Sequence, residues 1–403
     1  MTLEKTLRSD ERPDGAKTGP QMGPKTTIGD RTIWYTRCPT PCASGIAIAG
    51  GWLDREFAGT GFEVKSLRAS ATRAERQTHF THDHRALFRQ GGVVPPLWAA
   101  SVGTPVRLIG INAIPRFEGI ISLERGSEDS GNDRLRGLTG IRIALPRRTG
   151  DEPVDFWRAT VLHGVKRALA ACGSDAGDVQ LVDLPVAYAY HTPTSSSTTG
   201  SLWTAREAAR LQRAEVAALV RGEVDAIYVY GPGGLYLTEL LGATVVVDTS
   251  ATPAVGAERL ALLTVTSDLL EERTDVVVSY LSVLLRAADW AASNRSEAVR
   301  TLAEEEGVAE YWAHAAYSPQ LLDSLRPELS PPLLEGVQGI ADFLLHEGFL
   351  ASAVDVDAWA DPRPLELATE RVDTPGRIPA MNRREPLRSR QGARGNEPRE
   401  QGP

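Results

Sequence analysis

The sequence predicts an α/β chain folded as two lobes with a cleft between them and a helical C-terminal part. Three observations lead there. Short β-rich runs alternate with segments of helical apolar spacing, the signature of a parallel α/β sheet. The length of 403 residues suits two domains of ordinary size. A helix-patterned tract, broken only at Pro319, Pro327 and Pro331-Pro332, runs from Thr274 almost to Leu350.

Thr32 to Arg37 is rich in β-branched and aromatic residues and reads as a strand. Cys38-Pro39-Thr40-Pro41 follows, whose prolines can open a helix but cannot sit inside one. A helix is predicted over Ala43 to Leu53. Phe62 to Leu67 alternates as a strand does, Arg107 to Ile111 reads as another, and Gly140 to Leu145 as a third, after a turn at Arg136-Gly137. Phe156 to Cys172 and Ala205 to Arg221 carry helical spacing. Val179 to Val182, Ala226 to Val229 and Thr244 to Val247 read as buried strands. Gly231-Pro232-Gly233-Gly234 lacks the Lys-Ser/Thr of a phosphate loop and reads as an interlobe turn. The expected division is a polar tail over 1–30, a first lobe over 31–127, a second lobe over 128–245, a return to the first lobe with the C-terminal helices over 246–370, and a tail over 371–403.

A formal net charge of -8 argues against a surface that tracks nucleic-acid phosphates, which needs clustered Lys and Arg. Three cysteines, Cys38, Cys42 and Cys172, suit free thiols in a reducing compartment. The first thirty residues have no apolar core of the secretory type, and the longest apolar runs are too short or too Gly-rich to span a bilayer. A cytoplasmic protein without nucleic-acid or membrane partners is expected.

Cys38 follows a strand and precedes a helix start, where backbone N–H groups favour a thiolate or a bound anion; a small buried hydrophobe is the plainer reading. Cys42 raises a redox or metal pair, but two thiols alone are a weak zinc pattern. Thr78 to His84 holds His79, His82 and His84 around Asp83, with neighbouring positions expected to alternate sides as in a strand. A metal cluster and an acid/base imidazole beside a thiol are both open there. Arg89-Gln90-Gly91-Gly92 puts a guanidinium fork beside glycines that let backbone N–H groups approach an anion. Trp98 and Trp203 are expected in loops able to wall an aromatic pocket.

Tyr35-Thr36-Arg37-Cys38-Pro39-Thr40-Pro41, then Thr78-His79-Phe80-Thr81, then Arg89-Gln90-Gly91-Gly92 with Pro95-Pro96-Leu97 resemble the aromatic sulfinate desulfinases of dibenzothiophene desulfurisation. The resemblance spans about Arg31 to Leu365. It implies a two-lobed, periplasmic-binding-protein-like (type II) fold shared with nitrate, sulfonate and taurine solute-binding proteins. It also implies a hydrolase acting on a carbon–sulfur bond, with Cys38, His79 and Arg89 catalytic and Arg89, Gly91, Gly92 and Trp98 holding a small aromatic sulfinate or related oxyanion. No metal or organic cofactor is implied, and a monomer is expected. Arg147 to Val165 is where the resemblance places a substrate-pocket loop; Cys42, His82 and His84 lie outside the family pattern. Two rivals remain: a non-catalytic solute-binding protein of a sulfonate or nitrate transporter, and a metabolic enzyme using the three histidines as a metal cluster.

Overall fold

From its amino end the described chain runs β1 (Thr32–Arg37), α1 (Ala43–Ala49), α2 (Trp52–Phe57), β2 (Glu63–Ser66), α3 (Arg73–Thr81), β3 (Leu87–Gly91), α4 (Val94–Ser101) and β4 (Val106–Ala113). It then crosses into β5 (Glu118–Ser122), β6 (Arg142–Arg148), α5 (Phe156–Ala171), β7 (Gln180–Val186), α6 (Arg213–Val220), β8 (Ala226–Tyr230), α7 (Gly231–Leu240) and β9 (Thr244–Asp248). Finally come β10 (Leu260–Thr266), α8 (Ser267–Glu272), α9 (Thr274–Ser293), α10 (Arg295–Glu306), α11 (Glu310–Ala316), α12 (Pro331–His346), α13 (Val356–Trp359) and α14 (Arg363–Asp373). This computed structural model describes residues 31–123, 138–150, 152–186, 212–250 and 260–374. The expected tail over 1–30, all of the expected 371–403 tail after 374, the turn at Arg136-Gly137, the start of the helix expected from Ala205, and Trp203 lie outside those residues, while the first residues of the second tail, to Asp373, are the end of α14.

The strands form two five-stranded sheets, ordered β2-β1-β3-β10-β4 and β7-β6-β8-β5-β9. Both are mixed. In the first, β1 pairs parallel with β2 and β3, and β10 runs antiparallel between β3 and β4. In the second, β6 is parallel to β7 and β8, while β5 is antiparallel to β8 and β9. Each sheet thus receives one reversed strand from a chain crossing, which a purely parallel reading of the alternation does not anticipate. Strand β5 hydrogen-bonds within the second sheet, although the first-lobe segment was expected to run to 127.

Burial explains the layers. Helix α9 packs against the first sheet, and the Phe88 ring of β3 stacks on Tyr280 at 3.9 Å. Its Leu281, Leu284 and Leu285 are fully buried, each worth roughly 1.5–3 kcal/mol of apolar transfer. By length and composition this helix could cross a membrane, yet 61% of its apolar window is buried inside the protein. A second cluster joins Cys38, Phe80 and Leu87 of the first sheet's side to Ile143, Trp157 and Tyr228 of the second, so the two lobes share apolar contact where their strands end.

Several local expectations change. The helix predicted over 43–53 is split at Gly50 and Gly51, where Gly51 adopts a φ of 65° that breaks the helical run. Thr78 to Thr81 ends a helix rather than forming a strand, because Thr72 and Glu75 make a reciprocal capping box at its start. Arg89 to Gly91, left without an element by the sequence, lies in a central strand. Gly231 to Gly234 opens α7, with Pro232 in the first turn where its missing N–H costs nothing. Arg147 to Val165 is the end of β6 and the first half of α5, not one loop.

Candidate functional site

Strand β1 delivers Cys38. Its last ladder bond runs from the Cys38 N–H to the Gln90 carbonyl at 3.2 Å, and Thr40 N–H then donates to the Cys38 carbonyl at 2.8 Å, turning the chain. The two prolines stop pairing here and α1 starts at Ala43. The turn is anchored from behind by neutral bonds: Ser44 N–H to Gln90 Oε1 at 3.4 Å, Gln90 Nε2 to Asn112 Oδ1 at 3.2 Å, and Asn112 Nδ2 to the Pro41 carbonyl at 3.2 Å.

Helix α3 delivers His79 in its last turn, fully buried. A helix end leaves carbonyls without intrahelical donors, and here the site supplies them. Arg89 Nε donates to the His79 carbonyl at 3.2 Å, and the His82 ring nitrogen Nδ1 meets the Phe80 carbonyl at 3.2 Å. That requirement ties residue 79 to residue 89. A guanidinium at a helix C-terminus is also favoured by the helix dipole.

Arg89 rises from β3, which is bonded on both edges by β1 and β10. Its Nη1 donates to the Gly92 carbonyl at 2.9 Å and its Nη2 reaches Cys38 Sγ at 3.7 Å. Cys38 Sγ lies 3.7 Å from His79 Nε2, and Thr36 Oγ1 lies 2.8 Å from His79 Nδ1. Cys38 is 9% exposed and Arg89 1%, so thiol, imidazole and guanidinium meet in a nearly dry setting. Burial pushes the Arg89 guanidinium below its ordinary range, partly offset by Cys38. Its partners are two carbonyls and a thiol; among the described residues it meets no carboxylate.

The glycines shape the opening. A Cβ on Gly91 would stand 2.6 Å from Cys38 Sγ, so only hydrogen fits there, whereas a Cβ on Gly92 would meet nothing within 4 Å. The side of Gly92 where a Cβ would project is therefore open space. Trp98 is on α4, not in a loop, half-buried against the cluster of α12 and α13 and apart from the thiol's cluster. The apolar cluster that includes Cys38 instead contains the aromatic side chains Trp34, Phe80, Phe156, Trp157, Tyr228 and Tyr230, among others. Phe80 and Phe156 stack across the lobes with centroids 5.7 Å apart.

His82 and His84 do not join His79. His84 Nδ1 accepts from the Ala86 N–H at 3.1 Å, and among the described residues no three His, Cys, Asp or Glu gather as a metal site. His82 sits in a left-handed conformation, φ 57°, and is held neutral by burial and then by Arg89, its pKa falling to about 3. Cys42 lies in a different group. Arg37, one strand position away from Thr36 and from Cys38, points the other way and bonds Cys42 Sγ at 3.0 Å, Ser44 Oγ at 3.3 Å and Glu305 Oε2 at 3.0 Å.

Sequence reasoning missed Thr36, although it stands two residues before Cys38 and so on the same face of β1. It also missed the pair Trp157 and Glu215, where the indole N–H donates to the carboxylate at 2.7 Å; burial lifts Glu215 to about 7. No local signal links positions 58 apart.

No protein-family model matches the chain. Over 380 residues it is 27% identical to the 2'-hydroxybiphenyl-2-sulfinate desulfinase of Rhodococcus erythropolis, taking in 89% of this chain and 99% of that relative. A DSZB mutant with serine in place of a cysteine, crystallised in complex with biphenyl-2-sulfinic acid, superposes with a TM-score of 0.64 at 24% identity, covering 84% of this chain and 99% of that one. The periplasmic aliphatic sulphonate binding protein SsuA from Escherichia coli superposes with a TM-score of 0.54 at 16% identity over 83% and 93% of the two chains, a likeness of fold alone. The two-lobed solute-binding-protein architecture is thus the fold of this chain, and its sequence resembles the aromatic sulfinate desulfinases.

Proposed function

We propose that the chain is a desulfinase that hydrolyses the carbon–sulfur bond of an aromatic sulfinate and releases sulfite. The observation that carries this is the fully buried Arg89 guanidinium, which meets no carboxylate among the described residues and stands 3.7 Å from the Cys38 thiol. A buried cation without a counter-charge is costly and is suited to an anion that arrives from solution. A fork matches two sulfinate oxygens, and the aromatic side chains of the apolar cluster that includes Cys38 suit an aryl group.

In this reading Arg89 grips the sulfinate, with backbone N–H groups near Gly91 and Gly92 completing the grip. The Cys38 S–H gives its proton to the ring carbon that bears sulfur, and the electron pair of the C–S bond becomes the new C–H bond. Sulfur dioxide leaves and takes up water to give bisulfite, and the thiolate regains a proton through His79, whose Nε2 faces it. Thr36 at His79 Nδ1 fixes the ring's orientation. The net reaction consumes one water. Attack of the thiolate on sulfur is the competing route and would leave a covalent adduct.

A panel of aryl and alkyl sulfinates assayed for sulfite tests the function. Wild type is expected to turn over aryl sulfinates, Cys38→Ser to lose at least ~10²-fold in rate with its fold intact, and Arg89→Ala to lose both binding and turnover. Undiminished turnover by Cys38→Ser would overturn the mechanism. A sulfinate that quenches tryptophan fluorescence without any sulfite release would favour a carrier instead.

A further inference from the structure

One row of side chains crosses the first sheet at the site. Thr36 of β1 and Thr264 of β10 are each the direct register partner of Arg89 on β3. Direct partners project from the same face of a sheet, with Cβ atoms about 5 Å apart. The Thr36 hydroxyl is engaged with His79. The Thr264 hydroxyl is engaged with nothing: the residue is 0% exposed, and Oγ1 has no hydrogen-bond partner among the described residues. Thr266, two positions along on the same face, shows how a buried threonine is ordinarily satisfied here. Its hydroxyl accepts from the Leu87 N–H at 3.2 Å and donates to the Arg85 carbonyl at 2.9 Å.

The backbone singles out the same position. The register of β10 on β4 slips between Leu263 and Thr264, and such an irregularity re-aims the side chain that follows it. A buried hydroxyl without a partner is worse for folding than the isosteric methyl of valine. The sequence nevertheless keeps it directly across the ladder from Arg89, whose guanidinium spends N–H groups on His79, Gly92 and Cys38 and has more to give.

We propose that Thr264 is a positioning residue for the anion grip. When an oxyanion draws the Arg89 fork away from its long contact with Cys38, the Thr264 hydroxyl accepts an N–H of Arg89 and holds the fork square to the two oxygens. The bond is made only in the loaded site, so the empty protein carries the hydroxyl unpaired. This inference rests on the desulfinase reading and names a residue within it.

Thr264→Val and Thr264→Ser, assayed against one aryl sulfinate with sulfite as readout, provide the test. For Thr264→Val the expectation is a melting temperature at or above that of wild type, a KM raised about tenfold, and a kcat within about twofold. Thr264→Ser is expected to restore KM. A Thr264→Val enzyme with the KM of an active wild type overturns the role of Thr264 and leaves the desulfinase reading standing. A wild type that releases no sulfite overturns the desulfinase reading; ligand-induced melting shifts with the same sulfinate then decide Thr264, and equal shifts in wild type and Thr264→Val overturn it.

Discussion

A methyl group at position 91 would lie 2.6 Å from the Cys38 sulfur and 2.9 Å from its Cβ, far inside van der Waals contact. Gly91→Ala is therefore expected to push the thiol out of line with His79 and Arg89 and to cost at least ~10²-fold in kcat, with little loss of secondary structure. Sulfite release beside a circular dichroism spectrum checks this, and near-normal kcat would mean that the thiol's present position is not the working one. His82 offers a second expectation at this scale, in stability. Its imidazole titrates near 6.5 in the unfolded chain and near 3 in the folded one. The unfolded state therefore takes up a proton that the folded state refuses. The stability due to neutral His82 is complete above pH 6.5 and is lost as pH falls toward 3, roughly 3 kcal/mol by pH 4. His82→Asn, which tolerates a left-handed backbone, is expected to flatten the acid limb of a melting-temperature profile. An acid limb identical to that of wild type would remove His82 from the account.

At the scale of elements, the strand and helix that carry Cys38 are held by charges of their own. Arg37 and Glu305 form a buried ion pair between the end of β1 and α10, and Gly45 on α1 leaves the room, since a Cβ there would stand 2.7 Å from Arg37 Nη2. Glu305→Ala strands a buried guanidinium and is expected to cost about 3–5 kcal/mol. Chemical denaturation measures it, and a loss under ~1 kcal/mol would show that Arg37 finds another partner. This level was the least legible in the sequence. The strands at Thr32, Gln180, Ala226 and Thr244 and the helix from Phe156 followed from β-branched runs and apolar spacing, because local pattern and burial agree there. Helix α3 did not, since Arg73 to Thr81 is polar along most of its length and owes its start to a capping box and its end to side chains. Strand β3 has no assignment from the sequence, since Gly91 and Gly92 interrupt any β pattern, whereas its ladder is set by neighbours about fifty and about 170 residues away. The thiol, imidazole and guanidinium were legible as a set through the family resemblance. The partners that orient them, Thr36 and Thr264, depend on register, which periodicity alone does not give.

Across the whole molecule, the lobes meet along α5. Lys166 of α5 bonds Glu347 at 2.5 Å beside the α12 ring of Phe343, and His163 sets its ring edge against the same Phe343 at 4.6 Å. Because the lysine is about one-third exposed, the ion pair is worth no more than ~1 kcal/mol. Lys166→Ala is accordingly expected to raise KM by at most about fivefold at low ionic strength and to converge on wild type near 1 M salt. A KM difference that persists in high salt would assign the effect to packing on Phe343 instead. The same view of the molecule bears on how it is made. The slot between β3 and β4 is filled by β10, which leaves the ribosome about 150 residues after β4. Until then both strands bordering the slot present unpaired edges, and Arg89 lacks one of its two neighbouring strands. A nascent chain is thus a hazard for strand-mediated aggregation while the second sheet is being synthesised, and Arg89 gains its second neighbouring strand only after residue 266 of 403 has been made.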